Sequence, residues 1–82
     1  MTAKEMFCKL GYEQIYCENK NCTYVQNDGG YITQIEFIGI KKEVRIHSHE
    51  EYNDCKTQDW ISLDEYELKA INKQIQEMEW FK

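Results

Sequence analysis

An α+β fold of two layers follows from three features of this sequence. Ser62–Trp80 repeats apolar residues at helical spacing. Residues 12–47 alternate with period two between turn-forming clusters. A shorter helical pattern opens the chain. Neither helix can bury its own stripe, so each needs a surface from the rest of the chain. The prediction is an antiparallel β-meander of three to four strands, with a short N-terminal helix and a long C-terminal helix packed on one face. The 82 residues make a single α+β domain, 1–82.

The N-terminal helix begins at Thr2, which forms a capping box with Glu5. Ala3, Met6, Phe7 and Leu10 share one face, and Gly11 stands where a left-handed residue ends a helix. Two helical turns are marginal alone, so this helix must dock, through Phe7 and Leu10.

From Tyr12 the period becomes two. Ile15 and Cys17 point inward, with Gln14 and Tyr16 outward. Residues 18–21 read as a turn and Cys22–Gln26 as the partner strand. Asn27-Asp28-Gly29-Gly30 is the clearest turn, because these residue types tolerate positive φ. Tyr31–Ile38 follows, with Thr33, Ile35 and Phe37 on one face and Gln34, Glu36 and Ile38 on the other. After a turn near 39–42, Val44 and Ile46 point in while Arg45 and His47 point out. The polar, aperiodic stretch His49–Asp59 reads as a loop into the long helix. In that helix Leu68, Ile71, Ile75 and Met78 form the stripe, and Ser62 with Glu65 forms its capping box.

Composition narrows the function classes. The net charge of −5 opposes non-specific binding to nucleic acid, which needs a basic footprint. No apolar run approaches the ~18 residues of a membrane span. MTAKEMF has neither the basic nor the apolar region of a signal peptide, so a cytoplasmic protein is expected. A chain of this size can hold one layer between sheet and helices, and a deep active site would compete with it.

The residues that could carry chemistry also have plainer readings. Cys17 and Cys22 flank a turn and are placed to face each other on neighbouring strands. With His47, His49 and Cys55 they could make a zinc site, but there is no CxxC pair, and Cys17 and His47 fall on opposite faces. Buried reduced thiols are the plainer reading, and a Cys17–Cys22 disulfide is a third. His47-Ser48-His49-Glu50 could suggest acid–base chemistry, yet no cleft is implied and a solvated strand end accounts for it. GxSxG, HExxH and phosphate-binding glycine loops are all absent from the sequence. The expectation is therefore no enzyme, no cofactor and no metal. Lys41, Lys42 and Arg45 make a small basic spot at one hairpin.

The aromatic residues bear on partners. On a helical wheel Trp80 lies opposite the stripe. Either it is exposed, or the helix frays and the indole folds back over Met78 and Phe81. Exposed Trp and Tyr mark interfaces. Glu77 and Glu79 oppose the helix dipole and so need another explanation. A partner site is thus expected at Trp80 and Phe81, together with Tyr16, Val25 and Ile38 on the outer sheet face.

MTAKEMFCKLGYEQI (1–15) and ELKAINKQIQEMEW (67–80) resemble the two ends of small proteins encoded in bacteriophages and prophages of Gram-positive bacteria. In those proteins an MTAKEMFxKLGY-type opening and an ELKAINKQIxExxW-type ending flank a variable, strand-rich middle. The resemblance covers about a third of the chain. It implies a phage-type accessory protein in the bacterial cytoplasm and assigns no catalytic or binding residue. Cys17, Cys22 and the 47–55 stretch lie outside it. The expected function is a small protein-interaction module binding a host or phage protein or a second copy of itself. The alternative is a nucleic-acid-associated accessory factor using the outer sheet face with Lys41, Lys42 and Arg45.

Overall fold

The computed structural model describes residues 1–18, 20–50 and 62–81. Its elements are α1 (Ala3–Lys9), β1 (Glu13–Glu18), β2 (Asn21–Asp28), β3 (Tyr31–Ile38), β4 (Glu43–Glu50) and α2 (Glu65–Glu77). The strands form one antiparallel sheet in the order β1-β2-β3-β4, with both helices on its inner face. This is the predicted α+β arrangement.

Local chemistry sets most boundaries. Thr2 Oγ1 accepts from the Glu5 N–H at 3.2 Å, and Glu5 Oε1 accepts from the Thr2 N–H at 3.2 Å, completing the predicted capping box. The Thr2 N–H, and then the Thr2 hydroxyl donating to Glu5 Oε1 at 3.0 Å, hold the Glu5 carboxyl below its ordinary range. Gly29 and Gly30, at φ 62° and 94°, form the two-residue turn between the paired Asp28 and Tyr31. At Gly39 the need for glycine is steric: a Cβ there would overlap the Lys20 carbonyl oxygen. The turns before β2 and after β3 are thereby pressed together, and the Gly39 N–H donates to Asn21 Oδ1 at 3.0 Å.

Four expectations need correction. β4 continues through His49 to Glu50, so the loop starts later than predicted, and residues 51–61, with Cys55, lie outside the described residues. In β1, Gln14 pairs with Tyr24 and Tyr16 with Thr23, which leaves Ile15 in a bulge. The extra residue resets the alternation. Gln14 turns inward, its amide donating to Tyr24 Oη at 3.2 Å, and Ile15 is 57% exposed rather than core.

The C-terminal helix has 13 residues and starts two residues later than Ser62 predicts. Asp64 is its N-cap, with Oδ1 accepting from the Glu67 N–H at 2.9 Å. Glu67 returns one carboxylate oxygen to the Asp64 N–H and takes the Tyr12 hydroxyl on the other at 2.6 Å. That tertiary bond fixes the register at Asp64.

Finally, the buried face of α2 is rotated off its apolar stripe, by roughly 100° at 3.6 residues per turn. Ala70 and Gln74 are buried, Ile71, Ile75 and Met78 pack at the margin, and Leu68 is 54% exposed. Polar bonds pull the helix round. Tyr24 Oη donates to Gln74 Oε1 at 2.6 Å, and Glu77 Oε2 accepts from the Ala3 N–H at 2.7 Å. Glu77 therefore opposes the dipole of its own helix but sits at the N-terminus of α1, where negative charge is favourable.

The core is an aromatic cluster. Phe7 stacks on Tyr24 with centroids 4.0 Å apart, and Phe37 meets both rings edge-on at 6.2 and 6.1 Å. Trp80 closes one side, 6.2 Å from Phe37, and Tyr12 the other, 5.5 Å from Phe7. Ile35 and Cys22 fill the sheet beneath, and Val44 and Ile46 pack against it as predicted.

Candidate interaction surface

Because α1 and α2 occupy one face, the other face of the sheet is left uncovered among the described residues. Strand pairing arranges it in cross-strand rows. One row runs Glu18, Asn21, Ile38, Glu43; the next Tyr16, Thr23, Glu36, Arg45; then Glu13, Val25, Gln34, His47; and last Asn27, Ile32, His49. Tyr16 is 45% exposed, and Val25 and Ile38 are half-buried. Tyr16 and Val25 are diagonal neighbours. Ile38 stands apart from them beyond Asn21 and Thr23. Ile32 also lies on this face, at the end opposite Ile38. It was missed above, although counting back by twos from Ile38 reaches it.

Charge on this face is mixed. Arg45 pairs with Glu43 at 3.5 Å, and His47 Nε2 lies 3.7 Å from Glu36 Oε1, which also accepts from Gln34 Nε2 at 2.6 Å. Lys41 and Lys42 are exposed in the β3–β4 turn. The carboxylates of Glu36 and Glu43 thus interrupt the line from these lysines through Arg45 to the histidines.

The residues at the C-terminal end of α2 separate. Trp80 folds back as in the second reading, but it does not shield Phe81: the helix stops, the chain turns back, and the indole is 6% exposed over Phe37. It is a lid on its own core, not an exposed partner residue. The cause is a chain reversal at Glu79, φ 58°, which removes Trp80 from the helical wheel. Phe81 is 84% exposed, and with Asn72, Ile75, Gln76 and Glu79 it lines an open groove of about 470 Å³.

Cys17 and Cys22 face each other directly, on the inner face, while His47 is on the outer face. Both thiols are free. Among the described residues no three His, Cys, Asp or Glu side chains are grouped so as to hold a metal ion. None of the described helices is long and apolar enough to cross a membrane. Comparison with known proteins finds no matching family model, no matching curated protein and no matching solved structure.

Proposed function

We propose that this chain is a small protein-interaction module without catalytic activity, a phage-type accessory protein of the bacterial cytoplasm. The observation that carries the reading is the outer face of the sheet, which no helix among the described residues covers. It presents Tyr16, Val25, Ile32 and Ile38 among polar side chains, in a protein whose fold needs only the inner face. An apolar surface rimmed by polar groups is a docking surface by default. Exposed Phe81 is a separate apolar spot at the end of α2. The partner is a host or phage protein, or a second copy of the chain. Nucleic acid is disfavoured by the net charge of −5 and by the carboxylates that interrupt the basic residues of β4.

The test is affinity capture from a host lysate with and without nuclease. The bait is either wild type or a chain carrying Tyr16→Thr, Val25→Thr and Ile38→Thr, which keep β-propensity and remove apolar surface. The expected result is a protein captured equally with nuclease, lost with the triple variant, and unaccompanied by a shift in the variant's unfolding midpoint. Capture that disappears on nuclease treatment would instead favour the nucleic-acid reading.

A further inference from the structure

Cys17 and Cys22 are two thiols that the described fold places face to face. Residues directly opposed on antiparallel strands have Cα atoms about 4.5–5.5 Å apart, within the ~4.4–6.8 Å that a disulfide spans. The two thiols interact electrostatically with each other, so they share one space on the inner face. They differ in access. Cys22 is fully buried in the core, where its sulfur also accepts from Gln14 Nε2 at 3.3 Å. Cys17 is exposed and lines an open groove of about 390 Å³ with Lys20, Gln74, Glu77 and Met78.

From this geometry we infer that Cys17 and Cys22 form a reversible dithiol–disulfide site, oxidised by low-molecular-weight disulfides that enter the groove at Cys17. The Cys17 thiolate attacks one sulfur of RSSR, giving a Cys17–S–S–R mixed disulfide and releasing RS⁻. Cys22 then attacks the Cys17 sulfur. The Cys17–Cys22 bond forms, the second RS⁻ leaves, and the proton of Cys22 goes to it as RSH. Two protein thiols are oxidised, and one external disulfide is reduced to two thiols. Burial disfavours the Cys22 thiolate, and Cys17, which opens on the groove, makes the first attack. In a reducing compartment the resting form is the dithiol, and an oxidising shift fastens β1 to β2. The inference is independent of the partner reading, because it concerns the opposite face of the sheet.

The experiment treats the full chain with glutathione disulfide and maps disulfides in non-reduced proteolytic digests by mass. The expected product is a Cys17–Cys22 link with Cys8 and Cys55 still alkylatable, reversed by excess reduced glutathione. Cys22→Ala should stop at a glutathione adduct on Cys17, and Cys17→Ser should give neither adduct nor link at these two positions. If Cys22→Ala does not fold, the wild-type map alone decides. A stable adduct on Cys17 in the wild type, or a disulfide that joins either cysteine to Cys8 or Cys55, would overturn the inference.

Discussion

α1 and α2 end in the same hydrogen-bonded turn, built from different residues. In α1, Gly11 takes the left-handed position at φ 90°, the Gly11 N–H donates to the Cys8 carbonyl at 3.0 Å, and the Tyr12 N–H donates to the Phe7 carbonyl at 2.9 Å. In α2, Glu79 takes that position at φ 58°, its N–H donates to Gln76 O at 3.1 Å, and the Trp80 N–H donates to Ile75 O at 3.4 Å. Both are the Schellman pattern. In each, the residue after the left-handed one is an aromatic buried in the core, Tyr12 at 4% and Trp80 at 6% exposure. The two caps thus serve packing as much as helix termination: each reverses the chain so that an aromatic closes one side of the Phe7–Tyr24–Phe37 cluster. Strain separates them, because glycine adopts positive φ freely and glutamate does not.

The largest effect should come from removing an aromatic lid. Trp80→Ala deletes a buried indole over Phe37, and about 3–5 kcal/mol of stability should be lost. A lower denaturant midpoint with unchanged sedimentation behaviour is the expected result. An unchanged midpoint with weakened self-association would return Trp80 to the surface. Next comes the glycine cap. Gly11→Ala forces a side chain into left-handed backbone, a cost of about 1–2 kcal/mol. Its Cβ would also come within 3.3 Å of Gln26 Nε2, whose bond to the Leu10 carbonyl must then shift. Thermal melts of Gly11→Ala and wild type measure the sum.

The contrast also explains what the sequence conceals. The α1 ending is legible because Gly11 marks it, as Gly29-Gly30 marks the β2–β3 turn. The α2 ending carries no glycine, and continuing the helix to Trp80 puts the indole on the wrong side. Elsewhere the loss has a different cause. The bulge at Ile15 leaves no compositional trace, yet it exchanges the faces of Gln14 and Ile15. On α2, hydrophobic periodicity points to Leu68, whereas Gln74 and Glu67 bond to Tyr24 and Tyr12 and set the rotation. Apolar patterning reads out the partition of oil from water. It cannot show which polar side chain will find a buried partner. The outer face, by contrast, was legible in β2–β4, where no bulge intervenes and the positions of Val25, Ile38 and His47 follow from alternation.

Tyr12 joins the α1 cap to this polar seam and gives it a pH dependence. Burial, and then its hydrogen bond to Glu67, push the Tyr12 phenol well above its ordinary range; burial does the same to Tyr24. A raised folded-state value means that the unfolded chain loses these protons first. The contribution is fully present below about pH 10, the ordinary tyrosine value, and is lost progressively as pH rises toward the folded values. Denaturant midpoints followed from neutral to strongly alkaline pH should therefore fall. The fall should be shallower in Tyr12→Phe, and equal slopes in variant and wild type would contradict the linkage. Trp80 has no titratable group, so the α2 lid has no counterpart to the Tyr12 phenol.

The smallest effect isolates the strain itself. Glu79→Gly removes the left-handed penalty but also removes the carboxylate, so a comparison with wild type alone mixes two changes. Glu79→Ala removes the same carboxylate and keeps a Cβ in left-handed backbone. The difference between the two variants reports the backbone alone. Glycine should be the more stable by about 1 kcal/mol, the left-handed cost less the extra chain entropy that glycine loses on folding. At Gly11 the same comparison should have the same sign, with glycine again more stable than alanine, because both positions hold left-handed backbone. If Glu79→Ala proves equal to or more stable than Glu79→Gly, then Glu79 is not held left-handed in solution. The reversal that carries Trp80 over Phe37 would then have to come from the packing of the indole rather than from the cap.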